Sequence, residues 1–96
     1  MARRQFQDVF EDVLTTSATI DFGSVADGNE AASDVTVTGA ALGDFVLVSC
    51  AVDLADLQMS ASVTAADTVS IVVSSSGDTV DLASTTFKVV VLSPNF

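Results

Sequence analysis

The chain contains no histidine, tryptophan or tyrosine. It has one cysteine, one proline and, beyond Arg3 and Arg4, a single basic residue, Lys88. Without histidine it lacks the side chain that most often acts as general base and binds transition metals. A lone cysteine excludes an intramolecular disulfide and a thiol-rich metal cluster. Cys50 lies inside the apolar stretch Phe45-Val46-Leu47-Val48-Ser49-Cys50-Ala51-Val52, where a buried, inert thiol is expected. Serines are plentiful, but a serine nucleophile needs an adjacent base. Lys88 sits in Phe87-Lys88-Val89-Val90-Val91 and is expected to point outward from a strand. The carboxylate pairs Asp53/Asp56 and Asp78/Asp81 could do acid–base work if buried together. Turn chemistry accounts for aspartate in such segments without catalysis. No catalytic residue is therefore assigned, and no enzyme is expected.

Cofactor signals are equally sparse. Gly39-Ala40-Ala41-Leu42-Gly43-Asp44 fits neither the dinucleotide nor the phosphate-loop spacing and is expected to be a strand-connecting loop. Asp27-Gly28-Asn29-Glu30 and Ser76-Gly77-Asp78 offer oxygens of the kind calcium takes, without the spaced loop of an EF-hand. Neither a metal nor an organic cofactor is assigned.

Basic charge is scarce. Three basic residues face thirteen acidic ones, for a net charge of −10. The first 14 residues carry −1 and the remainder −9. A body with one lysine cannot neutralise a row of phosphates, so nucleic acid is not an expected partner. The same charge disfavours an anionic membrane surface. Apolar runs such as Val89-Val90-Val91-Leu92 fall far short of the ~18 residues that span a bilayer. Met1-Ala2-Arg3-Arg4 is not followed by an apolar segment, since Gln5, Gln7, Asp8, Glu11 and Asp12 interrupt it. No signal peptide is expected, and a small product made in a cytoplasm is.

What the chain does contain is periodicity. Phe6, Val9, Phe10, Val13 and Leu14 fall at i, i+3, i+4, i+7 and i+8, one face of a helix. A helix this short must dock on something to persist, either its own body or a neighbour. A strand-like arm is the alternative. Residues 1–15 are thus expected to form an amphipathic arm and residues 16–96 a separate body. From residue 16 the period becomes two. Ala18/Ile20/Phe22, Val35/Val37, Met59/Ala61/Val63, Val69/Ile71/Val73, Val80/Leu82 and Phe87/Val89/Val91 alternate with polar residues. The stretch 45–52 is apolar on both faces and reads as a central or doubly covered strand. About seven short strands with turn signals between them predict an all-β antiparallel sandwich, jelly-roll-like or immunoglobulin-like. With one lysine and one proline to guard its edges, such a sandwich favours pairing with another subunit.

Several segments together resemble the small β-sandwich domains encoded among the virion genes of tailed bacteriophages. They are Thr19-Ile20-Asp21-Phe22, the run Val35-Thr36-Val37-Thr38-Gly39-Ala40-Ala41-Leu42-Gly43-Asp44, the run Val63-Thr64-Ala65-Ala66-Asp67-Thr68-Val69-Ser70-Ile71, and Val80 to Val91. Together they cover most of residues 18–92. Residues 49–58 lack the prolines the pattern has there, and residues 2–14 lie outside it. The resemblance implies a capsid decoration (cement) protein, placed on the outer surface of the virion head and bound to the major capsid protein as a homotrimer. A tail- or fibre-associated protein that touches the host surface through loops 27–33, 53–57 and 75–79 is the alternative. In the decoration reading, Arg3, Arg4, Phe6, Val9, Phe10, Val13 and Leu14 make the partner contacts. Removal of residues 2–14 would then leave a folded body.

Overall fold

The computed structural model describes residues 10–54 and 57–94. Eight strands follow one another: β1 (Phe10–Ile20), β2 (Gly23–Val25), β3 (Glu30–Thr36), β4 (Phe45–Cys50), β5 (Leu57–Ala65), β6 (Thr68–Ser75), β7 (Val80–Leu82) and β8 (Thr85–Pro94). Their hydrogen bonds build two three-stranded antiparallel sheets, ordered β1-β8-β4 and β3-β6-β5, and a two-stranded ribbon, β2-β7.

The period-two pattern explains the layers. Successive residues of a strand point to opposite faces, so one face of each sheet can be apolar throughout. Phe87, Val89 and Val91 of β8 and Val69, Ile71 and Val73 of β6 are each 0–1% exposed. They belong to one cluster with Ile20, Val25, Val35, Leu57, Val63 and Leu82. Both sheets and the ribbon therefore face a single core, an arrangement consistent with a β-sandwich. Each fully buried valine, isoleucine or phenylalanine contributes about 1.5–3 kcal/mol of hydrophobic stabilisation.

The ribbon β2-β7 prolongs the pairing of β1 with β8. Ile20 lies opposite Thr85, Gly23 opposite Leu82 and Val25 opposite Val80, all in one register. The interruption falls at Asp21-Phe22, where the Asp21 carboxylate accepts from the Gly23 amide at 3.0 Å. This break ends the strand expected over 18–22 at Ile20 and leaves Gly23–Val25 as a further short strand, so the described residues form eight strands where about seven were expected.

The helix expected over residues 6–14 is corrected for the part described. Residues 10–14 are strand, with Asp12, Val13 and Leu14 opposite Ser93, Leu92 and Val91. Pairing with the central strand β8 satisfies the backbone and overrides a helical spacing too short to hold by itself. Phe6 and Val9 lie outside the described residues, and residues 10–15 form part of the β1-β8-β4 sheet.

A second correction concerns residues 45–52. They do not form a central strand: β4 is an edge of its sheet, and its residues alternate between exposed and half-buried. Val46, Val48 and Cys50 pack toward the core, while Phe45 and Leu47 lie on the opposite face of the strand. The Cys50 thiol is half-buried and donates to the Val52 carbonyl.

Candidate interaction surface

The two sheets differ on their outer faces. The outer residues of the β3-β6-β5 sheet run in polar rows: Glu30, Ser74 and Gln58, then Asp34, Ser70 and Ser62, with Ala32, Val72 and Ser60 between them. The β1-β8-β4 sheet carries the opposite chemistry. Val13, Leu92 and Phe45 form one outer row, and Thr15, Val90 and Leu47 the next. Ser17, Lys88 and Ser49 follow. Val13 is 47% exposed, Phe45 49% and Leu47 60%. Leu92, between Val13 and Phe45, is buried yet stands outside the core cluster. Lys88 is exposed on this face, as its strand position predicts.

Strand geometry redistributes the residues assigned to the arm. Val13 and Leu14, expected on one helical face, point to opposite sides of β1. Val13 is exposed, whereas Leu14 packs against the core and lies against Gly39. Phe10 is opposite Pro94 at the end of the sheet. Arg3, Arg4, Phe6 and Val9 lie outside the described residues. Removing residues 2–14 would strip the first five positions from β1, so a folded body is not its expected result. Sequence reasoning missed Phe45 and Leu47 as exposed residues, and Val90 and Leu92 as their neighbours on the outer face. The available signal was that 45–52 is apolar on both sides, as in a strand covered on both faces.

Two other places gather polar groups. At the end of the molecule holding the chain's described termini, the β3–β4 loop is tied to the β5–β6 hairpin. The Asp67 carboxylate accepts from the Gly39 amide at 2.8 Å. The Asp67 amide donates to the Ala40 carbonyl, and its carbonyl accepts from the Val37 amide, both at 2.9 Å. Asp67 has φ +62°, the left-handed conformation that aspartate tolerates better than most residues.

At the opposite end, the turns 26–29 and 76–79 meet, and β5 begins beside Ser75. Of the loops expected to face a host surface, 27–33 and 75–79 are therefore neighbours, and Leu57 at the end of the 53–57 loop lies opposite Ser75. Asp27 accepts from the Gly77 amide at 2.8 Å, Gly28 donates to the Ser75 carbonyl at 2.9 Å, and Ser75 donates through its hydroxyl to the Asp78 carbonyl. A cleft of about 510 Å³ opens here, lined by residues that include Ser24, Gly28, Asn29, Glu30 and Ser75. The carboxylates of Asp27 and Asp78 come from separate turns. Among the described residues, no group of three or more His, Cys, Asp or Glu side chains could hold a metal ion. Asp56, the partner of Asp53 in the expected carboxylate pair, lies outside the described residues, and Asp81 is exposed on β7.

No family model matches this chain, and neither a search of curated proteins nor one of solved structures found a match.

Proposed function

We propose that this is a non-enzymatic structural protein of a tailed-bacteriophage virion, a decoration (cement) protein. It would bind the major capsid protein on the outer surface of the head as a homotrimer and stabilise the shell. The observation that carries this reading is the one-sidedness of the molecule. One sheet presents Val13, Phe45 and Leu47 to the outside, and the other presents serines, Asp34 and Glu30. A contiguous exposed apolar face rimmed by polar residues marks a contact surface. The polar face and the charge of −10 suit an outward aspect away from packaged DNA. The bacteriophage assignment itself rests on the sequence resemblance.

Of the two sandwich types, the immunoglobulin-like one is favoured. β6 is flanked by β3 and by its hairpin partner β5, and β4 pairs with β8 in the other sheet. This follows the B-E-D and C-F-G strand orders of that fold, with β1 occupying the place of its last strand.

A tail- or fibre-associated role is the second reading. The meeting of the 26–29 and 76–79 turns beside a polar cleft favours it.

The test is to mix the purified chain with shells assembled from the major capsid protein alone. The proposal expects co-sedimentation at a fixed ratio and a higher temperature of shell disruption. A protein left in the supernatant at every concentration contradicts it. Retention on isolated tails instead moves the second reading to first place.

A further inference from the structure

The sandwich is closed along one side and open along the other. On one side β4 and β5 approach each other. On the other, β1 and β3 leave a cleft of about 270 Å³ lined by Leu14, Thr15, Thr16, Thr36, Val37 and Thr38. We infer that the free edge of β1 pairs antiparallel with the same edge of a second copy of this chain, about a twofold axis at Thr16. This contact lies at the rim of the β1-β8-β4 sheet, not on its outer face, and is additional to the threefold assembly proposed above.

The hydrogen bonds fix which backbone groups of β1 are free. In an antiparallel sheet, alternate residues of a strand direct their N–H and C=O groups to opposite neighbours. The Thr86 carbonyl accepts from the Ala51 amide, just beyond β4, so the even-numbered residues of β8 face β4 and Phe87, Val89 and Val91 face β1. Their partners are Ala18, Thr16 and Leu14. The odd-numbered residues of β1 therefore turn their backbone groups outward. Val13 agrees with this parity, because its amide donates to the Asp12 carboxylate at 3.0 Å and not to β8. Thr15, Ser17 and Thr19 are left with their N–H and C=O groups on the edge, and among the described residues β8 is the only strand that pairs with β1.

The other edges are guarded and this one is not. β3 carries exposed Glu30 and Asp34, β4 and β5 adjoin each other, and β5 has a register shift between Val63 and Ala65. Charge and irregularity of this kind keep an edge from pairing. Val13-Leu14-Thr15-Thr16-Ser17-Ala18-Thr19-Ile20 has no charge, no glycine and no proline, and its ladder to β8 is regular throughout. Two copies that each carry −10 can approach closely only through such an uncharged stretch. The stretch is also self-complementary. With Thr16 opposite Thr16 of the second copy, Thr15 meets Ser17, Leu14 meets Ala18 and Val13 meets Thr19. The outward-turned residues then pair with one another, and each face of the sheet continues into the same face of the next copy. The two Asp12 residues fall at opposite ends of the ladder, eight residues apart, which is roughly 26 Å at about 3.3 Å per residue. That is well beyond the Debye length of about 8 Å at physiological salt. The contact is isologous and closes on itself. It gives one six-stranded sheet, ordered β4-β8-β1-β1-β8-β4.

The test is the mass of the full chain in solution, by light scattering without capsids. The unaltered chain should have an even number of subunits, and a monomer or a bare trimer overturns the inference. Ser17→Pro removes an outward-turned N–H and leaves the ladder to β8 whole, as proline on an edge strand can. It should halve the mass with the β-sheet circular dichroism retained. Thr15→Glu/Ser17→Glu provides a second variant should the proline fail to fold. Both positions are exposed, and the pairing sets them opposite each other, so like charges would meet across the twofold axis. This variant should also fall to half the mass, as should Thr15→Lys/Ser17→Lys, and an equimolar mixture of the two should regain the original mass. A folded Ser17→Pro or a glutamate variant that keeps the full mass overturns the inference, as does a mixture that stays at half. Shell binding is read separately by co-sedimentation, so failure of the pairing is distinct from failure of the decoration reading.

Discussion

The carboxylate of Asp67 accepts a hydrogen bond from the amide of Gly39 at 2.8 Å, joining two turns 28 residues apart. With the Ala40 and Val37 backbone contacts, Asp67 closes the gap between the β5–β6 hairpin and the loop that carries the chain to β4. The side chain is exposed, yet two geometric demands meet in it: a left-handed backbone and an acceptor for a distant N–H. Asp67→Ala should lower stability by about 1–3 kcal/mol, through the lost bond and the left-handed cost of a Cβ residue without a local partner. Asp67→Asn keeps both the acceptor and the tolerance for positive φ and should lose less. Urea unfolding checks the order. Equal midpoints for Ala, Asn and the unaltered chain would show that the clamp contributes nothing.

Gly39 is itself constrained from the other side. Its φ is +99°, and a Cβ there would come within 3.2 Å of Leu14 Cδ1. Gly39→Ala should destabilise by at least about 1 kcal/mol, because an alanine in that conformation is strained and Leu14 must give way. Part of the cost is steric, so Leu14→Ala should relieve it. The double variant is expected to lose less stability than the two single losses added, with a coupling of about 0.5 kcal/mol or more. Strict additivity would mean that Leu14 and Gly39 are not in contact.

Phe87 anchors the core and meets Phe22 edge to face, with centroids 5.5 Å apart and planes at 84°. Phe87 is fully buried and Phe22 half-buried. Phe87→Ala should cost about 3–5 kcal/mol, a large share of the total stability of a domain this small. Phe22→Leu keeps most of the apolar contact and should cost only about 0.5–1.5 kcal/mol. Thermal melts of the two variants side by side test the ranking. A Phe22→Leu variant as unstable as Phe87→Ala would reverse it.

Truncation separates the segment before β1 from the strand itself. Removing residues 2–9 leaves β1 paired with β8 from Phe10 onward and should preserve the β-sheet spectrum. Removing residues 2–14 deletes the partners of Pro94, Ser93, Leu92 and Val91 and takes Leu14 from the core. It should lower the melting temperature steeply or prevent folding. If the longer deletion melts with the shorter one, residues 10–14 are dispensable to the sandwich.

The contrast between these truncations shows where sequence reasoning reached and where it stopped. Val69/Ile71/Val73 and Phe87/Val89/Val91 alternate cleanly, and these triplets occupy the two central strands with their apolar sides in the core. Asp27-Gly28-Asn29 and Ser76-Gly77-Asp78 mark turns in the chain as written. Around Phe10, Val13 and Leu14 the helical spacing competed with a strand pairing to β8, some 80 residues away, that no local pattern contains. The 45–52 stretch failed for a related reason. Two apolar sides say that a strand is covered twice, but not whether the second cover comes from the same chain. Val13, Phe45 and Leu47 become one surface only through the register of β1 and β4 on β8, and that register is a tertiary fact.

The most direct measurement is immunogold labelling of intact virions with antibody raised against this chain. A decoration protein predicts gold distributed over the head, at a density that follows the shell lattice. Label confined to the tail, or particles left bare while the antibody recognises the free protein, would contradict the account.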